Sequence, residues 1–300
     1  MSHHHHHHAH SHAHSEGSTA SQRMGWAFAL NFCFTLVEFI GGWLTNSTAI
    51  MADAVHDLGD SLAIGSAWFL NKISDKGANA QYTYGYKRLS LFGALLNGVV
   101  LVVGSVWVLS EAIPRLLNPV MPHTEGMIVL AVIGVLVNGF AAYKLSGGKS
   151  LNERVLNWHL LEDVLGWIAV LIVAIVMQFV DWPVLDPLLS VGFTLFILFN
   201  VLKNLRTTAQ LFFQATPDKK LLKDIEENLL KVQDVAGVHH LHLWSLDGEH
   251  HVLTAHVNTT EGFELAAYAD LKQRIETSLE HFDLAHTTIE IELNNEACRD

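Results

Sequence analysis

Charged side chains are scarce: Asp, Glu, Lys and Arg make up 16% of the 300 residues, half of the residues are hydrophobic, and the mean hydropathy is +0.27. That balance is too apolar for an ordinary soluble chain of this size and implies a polytopic membrane protein. Basic residues are the scarcer sign, 18 Lys and Arg against 30 Asp and Glu, for a formal net charge of −12. Nucleic-acid binding needs a basic footprint and is excluded, whereas cations become natural partners. Cysteine is nearly absent: Cys33 and Cys298 form no CxxC, so no disulfide framework or thiolate cluster is expected, and a soluble part in a reducing cytosol fits. The chain also lacks HExxH, the helical zinc motif of metalloproteases. Its start reads MSHHHHHHAHSHAHS, without the basic, apolar and small-residue zones of a signal peptide. Six consecutive His read as a purification tag; His10, His12 and His14 read as a native metal-gathering tail; both readings stay open.

The charge is unevenly placed. From Pro217 onward there are 17 Asp and Glu against 7 Lys and Arg, so −10 of the −12 lies in the C-terminal third, which is expected to be soluble and acidic. Ahead of it, six segments reach the roughly 20 apolar residues that cross a bilayer: 24–44, 47–70, 89–113, 126–146, 155–180 and 184–204. Arg23, Lys72, Lys76, Lys87, Arg88, Lys144, Lys149, Arg154, Lys203 and Arg206 flank alternate connections, and the others hold only Arg115. Both termini are therefore expected in the cytoplasm. After Thr216-Pro217-Asp218 the pattern predicts a helix over 218–233, strands over 237–246 and 250–258 about Asp247-Gly248, a helix over 263–281 and a strand over 287–293. That order is an open α+β sandwich with one sheet face covered. The organisation expected is a His-rich tail (1–22), a transmembrane domain (23–206), a linker (207–217), a cytosolic domain (218–293) and a short tail (294–300).

The second span carries MADAVHDLGDSLAIG, with Asp53, His56, Asp57 and Asp60 where lipid is expected. Residues three, four or seven apart share a helix face, so Asp53, His56 and Asp60 line one side, with Asp57 partly turned away. One Asp near the bilayer centre costs about 2.5 to 3.5 kcal/mol, so several on one helix need a compensating partner. The fifth span offers His159 and Asp163, with Glu162 beside them. HxxxD thus occurs twice, and no other His lies in any span. If the faces meet, two imidazoles and two carboxylates form a tetrahedral set suited to Zn2+ at about 2.0 to 2.2 Å per bond. A polar network between helices is the bland alternative. Imidazole titrates near neutral pH, so protons compete with metal, and competition at a site exposed alternately to each side is antiport. Asp53, Asp57 and Glu162 are candidates for passing protons or orienting the ligands, while Asp53 and Asp57 serve equally well as helix-capping or water-facing groups. Glu38 in the first span and Asp186 before Pro187 are open between a functional role and a structural one.

Taken together, EFIGGWLTNSTAIMADAVHDLGD, YTYGYKRLSLFGALLNG, the His159/Asp163 pair, LDPLLS and GVHHLHLWSLDGEH resemble the cation diffusion facilitator family, in its zinc-transporting branch, from residue 24 to 293. The resemblance implies a homodimer with six transmembrane helices per protomer and C-terminal cytosolic ferredoxin-like α+β domains packed against each other. It implies proton-driven export of Zn2+, and other divalent cations beside it, from the cytoplasm by alternating access. The implied ligands are His56, Asp60, His159 and Asp163, the zinc-selective combination. It also implies a regulatory zinc at the cytosolic dimer interface, at His242, His256 and an acidic partner, for which Glu290 is taken although Glu292 shares its strand. His239, His240, His250, His251 and His286 are weaker candidates there. The connection NKISDKGANAQYTYGYKR keeps Asp75 but no His, so the metal site of some members is not expected in it. Arg88 is followed by Leu89 and Ser90 instead of the usual Arg-x-Glu, so any charge pairing there is absent or rerouted.

Two other function classes compete. An intramembrane metalloenzyme would need a general base, with only Glu162 or Asp57 at hand. A membrane-anchored zinc sensor or storage protein would not need buried carboxylates. Short connections favour a bacterial inner membrane over an organelle.

Overall fold

The computed structural model describes the backbone of residues 13–74, 77–145, 151–294 and 296–298, and within these the side chains of 25–70, 73, 77–143, 158, 160–294 and 296–298. The side chains of the His-rich start, Asp75 and the side chain of His159 lie outside the described residues. The chain forms two compact units, Met1–Lys72 with Leu96–Leu205, and Ile73–Leu95 with Arg206–Asp300.

Apolar runs become helices because backbone groups in lipid must hydrogen-bond within their own segment. Among the described residues six long helices precede the sheet: α1 (Ala13–Thr45), α2 (Thr48–Ser74), α3 (Leu89–Leu117), α4 (Thr124–Leu145), α5 (Leu151–Phe179) and α6 (Leu185–Phe212). Among the described residues, five helices contain a stretch long and apolar enough to cross a membrane: Gly25–Thr45, Leu89–Leu117, Thr124–Tyr143, Leu160–Phe179 and Leu185–Phe212. α2 has the length, at 27 residues, but Asp53, Asp57 and Asp60 lower its hydropathy. α3 outruns its expected end at 113 and holds Pro114 in its last turn, giving up one i→i−4 bond there, while Asn118 N–H donates to Pro114 O at 3.0 Å.

Within the first unit α2 is central. Its Ala49 and Ile50 pack with Met127 and Ala131 of α4 and Trp167, Val170 and Ala174 of α5, whereas its Ala52 and Val55 pack with Leu101 and Val108 of α3 and Ile197 and Val201 of α6. α4 approaches α5 at Gly134, where a Cβ would lie 2.3 Å from Cδ2 of the buried Trp167. Trp26, Trp43, Leu117, Phe179 and Phe199 are instead at least 71% exposed, and an apolar jacket of that extent suits lipid.

The second unit contains α7 (Lys219–Leu230), β1 (Val235–Ser245), β2 (His251–Thr259), α8 (Tyr268–Leu279) and β3 (Leu284–Glu292). Asp218 caps α7, its Oδ1 accepting from Lys220 N at 2.7 Å. The sheet order is β1-β2-β3, with β1 antiparallel and β3 parallel to β2. One face is covered, as the pattern predicts: Ile225 and Leu229 of α7 and Leu271, Ile275 and Leu279 of α8 pack on Leu243, Leu253 and Val257. The helix expected over 263–281 is shorter, since Gly262 has φ 80° and Phe263 and Glu264 precede a 3₁₀ turn over Leu265–Ala267. In the same unit Arg88, lacking the acid two residues on, donates to Phe212 O at 3.1 Å, and Tyr84 meets His286 edge to face.

The alternation expected for GVHHLHLW, with His240 and His242 on one face and His239 on the other, is overturned by a β-bulge. His239 opposes His256, His242 opposes Thr254, and the extra residue lies between them, with φ 45° at His240. Opposed residues share a face, as do residues two apart, so His239, His242, Thr254 and His256 lie on the same one.

Candidate metal centre

α2 starts from a polar clamp. Ser47 caps it, accepting from Ile50 N at 3.2 Å, and the buried Asp186 of α6 accepts from Ser47 Oγ at 2.5 Å, Thr48 N at 2.7 Å, Thr48 Oγ1 at 2.8 Å and Ala49 N at 3.3 Å. A carboxylate here satisfies free N–H groups and complements the helix dipole. Asp186, open between two roles in the sequence, thus holds α2 to α6. Farther along α2, Asn31 of α1 donates to Asp57 O at 3.3 Å and to Ser61 Oγ at 2.9 Å, setting the rotation of the acidic face.

Asp53, Asp57 and Asp163 are buried, and His56 and Asp60 nearly so, with side-chain exposures of 16% and 25%. His56 Nε2 lies 3.6 Å from Asp60 Oδ2 and 3.8 Å from Asp163 Oδ1. A tetrahedron with bonds of about 2.0 to 2.2 Å has edges of about 3.3 to 3.6 Å, so these are ligand-to-ligand separations. Asp57 offers another oxygen within 4.8 Å of His56 and Asp60. His159 belongs to α5, one helical turn before Asp163; its side chain is outside the described residues. Glu162 is exposed on α5, off the face that Asp163 presents to α2.

Gly166, one turn after Asp163, faces the same acids: a Cβ there would lie in ordinary contact, 3.7 Å from Asp53 Oδ1. Beside it a cavity of about 40 Å³ is lined by Asp53, Gly166, Phe193, Ala49, Val170 and Leu189, with room for about one water. The ring of Phe193 meets His56 edge on, their centroids 5.9 Å apart. Glu38 of α1 is 1% exposed among Asp57, Asp53 and Asp163, and its oxygens find no hydrogen-bond partner of ordinary length among the described residues. Buried carboxylates beside an imidazole make a site whose charge balance favours a divalent cation. Gly166 is legible only after α2 and α5 are known to touch.

The second constellation lies on the sheet. His256 Nδ1 is 2.7 Å from Glu292 Oε1, His239 Nε2 is 3.2 Å from Glu292 Oε2, and Asn258 Nδ2 donates to Glu292 Oε2 at 3.1 Å. Burial alone would push the Glu292 carboxyl up; hydrogen bonds from His256 and Cys298 and the charges of His239 and His256 outweigh it and hold the carboxyl below its ordinary value. Of the expected trio, Glu290 Oε2 comes within 3.7 Å of His256 Nε2, while the exposed His242 does not join the cluster. His239, Glu292 and Cys298 take part instead. His250 pairs with Asp247 at 2.6 Å.

Residues 26–213 match the cation efflux transmembrane domain, and residues 217–294 match the cytoplasmic domain of cation efflux proteins. The chain is similar to a cadmium, cobalt and zinc/H(+)-K(+) antiporter of Bacillus subtilis, 32% identical over 266 residues, or 86% of this chain and 85% of that protein. It is likewise similar to the zinc transporter ZitB of Yersinia pseudotuberculosis, 32% identical over 280 residues (91% and 88%), and to the metal cation efflux system protein CzcD of Cupriavidus metallidurans, 32% identical over 271 residues (89% and 85%). The chain therefore belongs to the cation diffusion facilitator family, in its zinc-transporting branch, and is a multi-pass membrane transporter and not an enzyme.

Proposed function

We propose that this protein exports Zn2+, and other divalent cations beside it, from the cytoplasm in exchange for protons. The cation is held by His56, Asp60, His159 and Asp163 and released as the site opens alternately to each side. The observation that carries this reading is the His56 imidazole at ligand-to-ligand distance from carboxylates on two helices, Asp60 on α2 and Asp163 on α5. Protons compete with metal for the imidazoles, and Asp53 and Asp57 relay them or orient the ligands. The relatives named for zinc, cadmium and cobalt, one of them an H(+)-K(+) antiporter, support the substrate class and the exchange.

In this reading all six helices span the membrane, α2 being tolerated because its acids bind the substrate, and both termini are cytoplasmic in a bacterial plasma membrane. The domain limits are those read from the sequence, and the C-terminal domain is ferredoxin-like, pairs two protomers and binds a regulatory metal around His256. Reconstitution into liposomes tests the proposal. Zn2+ uptake should expel protons and so alkalinise the lumen, and Asp163→Ala should abolish uptake in a protein that elutes as the parent does. Undiminished flux in that variant refutes the site; flux indifferent to a pH gradient refutes proton coupling.

A further inference from the structure

The end of the chain brings a sulfur to the His256 cluster, and the transport reading makes no use of it. β3 ends at Glu292, and the next residues fold back: Glu296 N donates to Leu293 O at 2.8 Å and Leu293 N donates to Glu296 Oε2 at 3.3 Å. Cys298, which has no disulfide partner, then lies with Sγ 3.6 Å from His256 Nδ1. His239, His256, Glu292 and Cys298 each present a ligand atom, all within 4.8 Å of one another.

We propose that Cys298 is a metal ligand, completing with His239, His256 and Glu292 a four-donor site within one protomer for a thiophilic divalent cation such as Zn2+ or Cd2+. Bonds of about 2.0 to 2.3 Å to nitrogen, oxygen and sulfur give tetrahedral edges of about 3.3 to 3.8 Å. The sulfur is already at that separation. The carboxylate contacts, at 2.7 and 3.2 Å, open by about 0.1 to 0.9 Å as the cation takes their place and each imidazole carries its proton on the other ring nitrogen. The metal binds the thiolate, so one proton leaves the sulfur for solvent on loading. A sulfur donor disfavours Mg2+ and Ca2+, and a closed four-ligand set suits retention where the thiol-free transport set suits release. Loading also fixes the C-terminal tail against the sheet, so the tail reports cytosolic metal.

This inference rests on the reading that the C-terminal unit binds a regulatory metal, and the test separates the two. The full chain carrying Cys33→Ser, with Cys298 its sole thiol, is titrated with Co2+. The expected result is a near-ultraviolet thiolate-to-Co2+ charge-transfer band that disappears in Cys298→Ser and in His256→Ala, with circular dichroism and elution unchanged. A band surviving His256→Ala overturns the proposal. No band, while His256→Ala still binds one Co2+ fewer than its parent, overturns the Cys298 assignment and leaves the regulatory site standing. No band and no loss of stoichiometry overturn both.

Discussion

Asp186→Ala removes the carboxylate that receives four donors from the start of α2, at 2.5 to 3.3 Å. Hydrogen bonds to a charged group contribute about 1.5 to 3 kcal/mol each, but four that share two oxygens do not add. Since the site is 2% exposed, little water replaces the lost acceptor. A net destabilisation of about 2 to 4 kcal/mol follows, since the two backbone N–H groups left without an acceptor cost about 1 to 3 kcal/mol each and the hydroxyls can turn elsewhere. Asp186→Asn keeps the shape and one acceptor oxygen and should lose about half of that. Equilibrium unfolding of the purified protein in mixed detergent micelles measures both. Zn2+ flux should fall in the same order, because the clamp positions the helix that carries His56 and Asp60. A loss below about 0.5 kcal/mol for the Ala variant, the level of an ordinary surface substitution, would refute the clamp.

Gly134→Ala should cost about 1 to 3 kcal/mol and slow flux, since the added methyl meets the buried Trp167 ring at 2.3 Å. Gly192→Ala, with nothing within 4 Å among the described residues, should be neutral or mildly stabilising; equal effects in paired unfolding and flux measurements would contradict the packing account. Partial burial raises the Asp247 carboxyl, but N–H groups of His250 and Glu249 and the His250 side chain outweigh it and hold it below its ordinary value. Its stabilisation is therefore complete above the unfolded carboxyl's pKa of about 3.9 and is lost as pH falls through the lower folded value. Asp247→Asn should flatten that acid limb and cost about 1 to 2 kcal/mol at neutral pH, read from amide exchange at Gly248 and His250. Deleting residues 1–16 should leave Zn2+ turnover largely intact in liposomes; complete loss would assign the His-rich start a place on the pathway.

Helical periodicity made the acidic face of α2 legible: positions 53, 56 and 60 must share a side of any helix, and an acidic face in an apolar run demands a partner. The partner helix was legible too, because HxxxD recurs at Asp163. The role of Asp186 was not, since its sequence neighbours Leu185 and Pro187 explain a helix start while its donors are about 138 residues away. On the sheet, β1 and β2 were visible as alternation, but the bulge at His240 depends on a backbone φ of 45°, a conformation that few non-Gly residues adopt and that no local pattern announces. That added residue exchanged His239 for His242 beside Glu292. Cys298 escaped because nothing in its local sequence announces that the tail turns back.

β2 is bonded along both edges, to β1 on one side and β3 on the other. Its amides can exchange with solvent only when the whole sheet opens, so their protection should approach the global stability of this unit. His256 is therefore an anvil: its position is fixed before any ion arrives, and in the proposed site the small adjustments fall to the flanking strands, the sulfur of the tail already standing in place.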